Sequence, residues 1–303
     1  MTCIVGHISL VVNSQAPVET GPSGGMQLVL SLPLSDELPD LGDYDCVLIN
    51  TSAGKDSQAM LDYLVELADS QGVSRDHLVA VHCDLGRVEW EGTRDLAEKQ
   101  VAHYGLRFEV VRNRNWADLL ERIESRGKWP DAKNRYCTSE FKTAQVKRLA
   151  TQLVAETPAL GRPVRILNCL GLRAEESPTR AKKVRFRHLE ARSGWSNGKR
   201  SVDEWLPIHG WKLADVWGRI NRSGVPHHPA YDMGMPRLSC SFCVLASRGA
   251  LVRAATLRPE LAAEYATAEA RMGHRFRQDL SMADIIAAAE RETVESVVEE
   301  WAA

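Results

Sequence analysis

The chain predicts an α/β fold: a doubly wound parallel sheet followed by a helical C-terminal part. Three observations carry this reading. Short apolar runs alternate with helix-like stretches from Asp45 onward, polar turns follow the strand-like runs, and the chain after Lys212 loses the strand pattern. In such sheets ligands bind outside the carboxyl ends of the strands, where strand order reverses.

Residues 1–40 read as an N-terminal extension, partly ordered at best. Pro17, Gly21, Pro22, Gly24, Gly25, Pro33 and Pro39 interrupt any helical period, and Met26–Leu32 is the one strand candidate. Residues 41–215 then read as an α/β domain. A first strand at Cys46–Asn50 leads to a helix at Ser57–Ser70, and a second at Leu78–His82 leads to a helix at Arg94–Tyr104. A third strand, Arg107–Val111, precedes helices at Trp116–Ser125 and Ser139–Glu156, and a fourth is expected at Val164–Leu170. Residues 180–205 read as a polar connection. Residues 216–303 hold a Cys-x-x-Cys segment and helices, the last opening at Ser281 with Asp284 at the capping-box position. Its acids Glu290, Glu292, Glu295, Glu299 and Glu300 read as a solvated face, opposite Ile285, Ile286, Val294, Val297 and Val298.

With 303 residues, 44% hydrophobic and 26% charged, the chain has enough apolar material for a substantial core. Its formal net charge of -2 makes no global case for nucleic acid. No Lys or Arg precedes Lys55, so the apolar start lacks the basic flank of a secretory signal, and no stretch is long enough to span a bilayer. A cytoplasmic protein with no membrane partner is expected. Its seven cysteines then suggest thiols, metal or cluster ligation rather than disulfides. Cys46, Cys83 and Cys169 lie in or beside apolar runs, where cysteine acts as a small buried hydrophobe, and Cys3 is isolated.

The most informative run is Val47 to Met60, in which a strand enters the small-residue turn Ser52-Ala53-Gly54-Lys55-Asp56-Ser57 and then a helix. Such a turn aims backbone N–H groups and a helix dipole at one point, and Ser52, Lys55 and Ser57 add side-chain donors. Asp56 follows Gly54-Lys55, which rules out a Walker loop. An ordinary strand-to-helix turn capped by Ser52 or Asp56 is the plain alternative. The run resembles the Ser-Gly-Gly-x-Asp-Ser pyrophosphate loop of N-type ATP pyrophosphatases and sulfonucleotide reductases, with Ala53 in place of the first Gly.

A second constellation, Gly171-Leu172-Arg173-Ala174-Glu175-Glu176-Ser177-Pro178-Thr179-Arg180, places two arginines after a buried strand. It resembles the Gly-x-Arg-x-x-Glu-Ser-x-x-Arg motif of the phosphoadenosine phosphosulfate (PAPS) reductase-like family. Asp84-Leu85-Gly86, Pro207-Ile208-His209-Gly210-Trp211 with Asp215-Val216-Trp217, and Pro226 to Gly234 leading into Cys240-Ser241-Phe242-Cys243 are similar to further motifs of that family, in its order. The resemblance implies an adenine nucleotide alpha-hydrolase-like, Rossmann-like fold. It also implies an adenine nucleotide, ATP or a sulfonucleotide (PAPS or APS), held by Ser52, Ala53, Gly54, Lys55, Asp56, Ser57, Asp84, Gly86, Gly171 and Arg173. Lys55, Asp56, Arg173 and Arg180 would be the catalytic residues, with Mg2+ near Asp56.

Arg135-Tyr136-Cys137-Thr138 resembles the upstream cluster-binding segment of family members with a 4Fe-4S centre, so Cys137, Cys240 and Cys243 are candidate ligands. Tyr136 stands where such members carry a further cysteine. A Zn2+ site completed by His227 or His228, and plain buried thiols, stay open. No cysteine follows Cys243, whereas sulfonucleotide reductases use one near the C-terminus; this shifts the expectation toward ATP unless Cys83 or Cys169 substitutes. The leading expectation is an ATP-dependent sulfurtransferase that adenylates a substrate in DNA- or tRNA-thiolation-like chemistry, with a cysteine desulfurase as sulfur donor. An unusual sulfonucleotide reductase and a non-catalytic nucleotide-binding module are the alternatives. Between Arg173 and Arg200 nine cations stand against three acids, a possible nucleic-acid contact or a solvated loop.

Overall fold

The strands β1 (Cys46–Thr51), β2 (Leu78–Asp84), β3 (Arg107–Arg112), β4 (Val164–Leu170), β5 (Phe186–His188) and β6 (Arg200–Trp205) form one sheet in the order β3-β2-β1-β4-β6-β5. The structure is a computed structural model and describes residues 38–291. All pairings are parallel except the edge pair β5 with β6. Val47, Leu48 and Ile49 of β1 are fully buried, as a central parallel strand covered on both faces requires. One face packs Val47, Ile49, Ala80 and Leu167 against Met60, Leu61 and Leu64; the other packs Leu48, Val79 and Ile166 against Val146, Leu149 and Leu153.

Those covering side chains come from α1 (Lys55–Ser70) and α5 (Ala144–Glu156). Between them lie α2 (Thr93–His103), α3 (Leu119–Arg126) and α4 (Tyr136–Thr138), the last joined to α5 by a π-helical turn, Ser139–Thr143. Asp118 accepts a hydrogen bond from Glu121 N–H at 2.8 Å, which starts α3 three residues later than the apolar pattern suggests. The short α6 (Pro178–Ala181) precedes α7 (Leu213–Ser223), α8 (Arg248–Leu257), α9 (Pro259–Met272) and α10 (282–291). At the start of α10, Asp284 N–H donates to Ser281 Oγ (3.1 Å) and Ser281 N–H to Asp284 Oδ2 (2.9 Å), the expected capping box.

The expected polar connection at 180–205 is overturned, because it contributes β5 and the inner strand β6. The polar residues of β6 are matched locally: Glu204 pairs with Arg187, and Asp203 accepts from Tyr44 Oη at 3.0 Å and pairs with His188. Only Val202 and Trp205 are left as its buried apolar side chains. Among the described residues, those from Pro39 to Arg291 belong to one unit that spans both expected regions, and one apolar cluster joins Leu85, Val88 and Trp90 to Leu251, Tyr265 and Ile285. The strand candidate Met26–Leu32 and the acids from Glu292 onward lie outside the described residues. No helix among the described residues is long and apolar enough to cross a membrane.

Candidate functional site

β1 pairs with β2 on one side and β4 on the other, so strand order reverses between β1 and β4. The turns leaving these two strands therefore face each other. In the first, Ser52 N–H donates to Ser57 Oγ at 3.1 Å and Ser57 Oγ donates to Gly54 C=O at 2.9 Å, closing the turn on the start of α1. Ala53, fully buried, has φ 54°, the single non-glycine residue with positive φ among the described residues. The turn needs a left-handed residue there, which explains a Gly in the resembling loops and makes Ala53 a strained replacement. From the second turn, Gly171 approaches so closely that a Cβ would stand 3.1 Å from backbone atoms of Asp56 and Ser57.

Arg173 locks the two turns together. Its Nε donates to Asp56 Oδ1 at 2.5 Å, its Nη1 lies 3.5 Å from Glu175, and its side chain is 4% exposed. Burial opposes its charge, but the Asp56 hydrogen bond, together with the neighbouring acids, outweighs this and holds its pKa above the ordinary value. Lys55 Nζ lies 3.7 Å from Asp56, and Arg180 pairs with Glu176. Burial, and then the neighbouring arginines, push Lys55 down; burial and then Arg237 do the same to Arg180. Lys55, Asp56, Arg173 and Arg180 are thus brought together, with Arg173 engaged by an acid instead of pointing free.

A segment absent from the sequence-derived set also reaches this turn. Lys55 N–H donates to Tyr231 Oη at 2.8 Å, Lys55 Nζ donates to Pro236 C=O at 3.1 Å, and the ammonium lies 5.2 Å from the Tyr231 ring centre. A Cβ on Gly54 would meet Leu238 Cβ and Tyr231 Oη at 3.5 Å. Tyr231 belongs to the Pro226 to Gly234 motif, and Arg237 lies three residues before Cys240. That adjacency was the available signal.

Asp84 and Gly86 sit at the carboxyl end of β2 but serve local structure. Asp84 Oδ1 accepts from Gly86 N–H at 2.8 Å and Oδ2 pairs with Arg112, while a Cβ on Gly86 would stand 2.3 Å from that of Asp118. Beyond them lie the thiols. Cys83, Cys137 and Cys240 pack on the same apolar cluster, which includes Phe242 and Tyr265. Burial pushes the Cys240 thiol well up, with Cys243 and Cys137 adding to it and Lys142 opposing. Cys83, read from sequence as a small buried hydrophobe, is pushed up to about 12 by burial and shares Lys142 and Glu89 as charged neighbours with Cys240. Cys46 and Cys169 are buried in the sheet.

Among the described residues no three His, Cys, Asp or Glu side chains gather to hold a single metal ion. The two candidate histidines are engaged elsewhere: His228 bonds Thr93 Oγ1 and accepts from Ala230 N–H, both at 3.1 Å, and His227 pairs with Asp232 at 2.8 Å. Three partly buried cysteines, Cys137, Cys240 and Cys243, remain as a soft donor set, which fits an iron–sulfur centre in kind. Part of the basic stretch is neutralised: Arg173, Arg180, Arg187 and Arg192 pair with acids, and buried Arg200 bonds Trp195 C=O.

Two curated relatives are uncharacterised proteins. One, from Methanocaldococcus jannaschii, is 27% identical over 199 residues, 66% of this chain and 43% of the relative. The other, a 37.8 kDa protein of Escherichia phage 186, is 29% identical over 135 residues, 45% of this chain and 37% of the relative. The match therefore spans less than half the length of each relative. Among solved structures, the PAPS reductase of Candida auris in its phosphate complex aligns with TM-score 0.45 and 17% identity over 67% of this chain and 89% of that one. The family profile of the phosphoadenosine phosphosulfate reductase domain matches residues 46–246, from β1 through the Cys-x-x-Cys, and the protein belongs to that family.

Proposed function

We propose that the protein is an ATP pyrophosphatase-type sulfurtransferase, which adenylates a substrate and helps to replace the activated oxygen by sulfur. One observation carries this: Lys55, Asp56, Arg173 and Arg180 converge on the turn after β1, at the reversal of strand order, and the segment resting on Lys55 runs directly into Cys240 and Cys243. Ser52, Ala53, Gly54, Lys55, Asp56 and Ser57 would cradle the pyrophosphate, bordered by Gly171 and, further out, Asp84 and Gly86. A substrate oxygen attacks the α-phosphorus, the bond to the bridging oxygen breaks, and pyrophosphate leaves. Lys55 and Arg180 offset the charge on that leaving group. Arg173 acts by holding Asp56, the carboxylate that would help to hold a Mg2+ brought in with the phosphates, an ion that would supply charge for the leaving pyrophosphate and needs few protein ligands. A sulfur nucleophile then displaces AMP.

Cys137, Cys240 and Cys243 would hold a 4Fe-4S centre, which when bound supplies a site for sulfur. A cysteine desulfurase suits the role of donor. DNA or tRNA suits that of acceptor, with Lys182, Lys183 and Lys199 as the exposed cations left in the basic stretch. The test is release of AMP and pyrophosphate from ATP in the presence of desulfurase, cysteine and DNA or tRNA. Activity should vanish in Asp56→Ala, and retention of full activity there would overturn the proposal. Cys83, partly buried at the carboxyl end of β2, keeps sulfonucleotide reduction as a second reading, which predicts thiol-dependent sulfite release from PAPS or APS. ATP binding without turnover under any acceptor would instead indicate a regulatory module.

A further inference from the structure

The strongest feature left unused by this reading is Arg237. It lies between Pro236, whose carbonyl accepts from Lys55 Nζ at 3.1 Å, and Leu238, whose Cβ lies 3.5 Å from the Cβ position of Gly54. Tyr231, from the same segment, holds the Lys55 N–H. The loop is therefore seated directly on the turn after β1, and Arg237 is exposed on it. Its charge acts on both Lys55 and Arg180, disfavouring their protonated forms. The nearby acids are already shared: Asp56 between Arg173 and Lys55, and Glu176 with Arg180. No hydrogen bond or ion pair from the Arg237 guanidinium is present among the described residues. Three cations are held near one another from two sides of a turn, and one of them lacks an acid. Like charges so arranged repel until a polyanion sits between them.

We propose that Arg237 is a phosphate-binding residue of this site, closing on the polyphosphate from the side opposite the turn, so that the chain of phosphates is gripped between Lys55, Arg180 and Arg237. The assignment rests on the nucleotide reading above and extends the site onto the segment that leads into Cys240. A planar guanidinium suits this task because it offers paired donors to phosphate oxygens. Tyr231 Oη, which now satisfies the Lys55 N–H, is the acceptor that a phosphate oxygen would replace or join.

The experiment is calorimetric titration of the full chain with inorganic pyrophosphate at fixed ionic strength. Loss of one charge-assisted contact should weaken binding about tenfold or more in Arg237→Ala, with Arg237→Lys intermediate. Lys99→Ala, which removes an exposed cation on α2, should stay within about twofold, the effect of a remote screened charge. Because Arg237 is exposed, the variants should fold, and unchanged circular dichroism would confirm that they do. Equal affinity in Arg237→Ala and the unaltered chain overturns the assignment of Arg237 and leaves the nucleotide reading standing. An unaltered chain that binds neither pyrophosphate nor ATP overturns both.

Discussion

The phosphate side and the thiol side of this molecule are built by different forces. Around the turn after β1, position is set by named polar contacts: Arg173 to Asp56, Ser52 to Ser57, Lys55 to Tyr231 and Pro236. Around Cys137 and Cys240 it is set by apolar packing, and burial, reinforced by the neighbouring thiols, keeps Cys240 from ionising easily. The phosphate side is therefore ordered by the protein's own charges. The thiol side presents soft donors whose charged form calls for a cation. Each side should fail in its own way when altered.

The largest effect is expected at the ion pair. Asp56→Ala leaves the Arg173 charge buried without its partner and should lower unfolding free energy by about 3 kcal/mol in urea titrations. The double variant Asp56→Leu/Arg173→Met should recover most of this while still failing to bind ATP. An Asp56→Ala midpoint equal to that of the unaltered chain would show that the pair does not hold the two turns together. Next comes Gly171→Ala, whose methyl meets backbone atoms that cannot step aside; it should destabilise by about 2 kcal/mol.

On the thiol side the balance reverses. Cys240→Ser should change the stability of the metal-free protein by about 1 kcal/mol or less. It should, however, abolish retention of iron after anaerobic reconstitution, as measured by iron content and visible absorbance. A colourless unaltered protein carrying one zinc would contradict the cluster assignment.

Two smaller effects sharpen the same contrast. His228 joins the Pro229–Tyr231 turn to Thr93, and burial, then His227, lowers its pKa from the ordinary 6.5. Below 6.5 the unfolded chain takes up a proton that the folded one resists, so stability should fall as pH drops from about 6.5 through the lowered value. Thermal midpoints should show this decline, and His228→Gln should flatten it. Ala53→Gly relieves a left-handed alanine and should raise stability by about 0.5 to 1 kcal/mol, unless the added freedom of the unfolded chain cancels it.

What could be read in advance follows the same division. β1, β2 and β4 were legible because their apolar runs are buried on both faces, the edge strand β3 because Phe108, Val110 and Val111 are partly or fully buried, and the turn after β1 because its small residues and donors are contiguous. β6 was not, because Arg200, Asp203 and Glu204 find partners only after folding, leaving Val202 and Trp205 as a thin apolar signal. The arginines of the 171–180 segment were visible as cations, but nothing in their spacing showed that Arg173 would be spent on Asp56. Arg237 went unread because the contact of its neighbours with Lys55 spans some 180 residues of chain. The surroundings of Cys83 likewise depend on a meeting of β2 with the π-turn before α5, marked by Cys83 Sγ at 4.0 Å from Lys142 C=O.

The central claim is that the turn after β1 holds the polyphosphate of ATP. Parallel calorimetric titrations of the full chain with Mg·ATP and with PAPS test it most directly. The account predicts saturable one-to-one binding of ATP that is lost in Asp56→Ala. Tight binding of PAPS with no binding of ATP, in the presence or absence of a nucleic-acid acceptor, would contradict it.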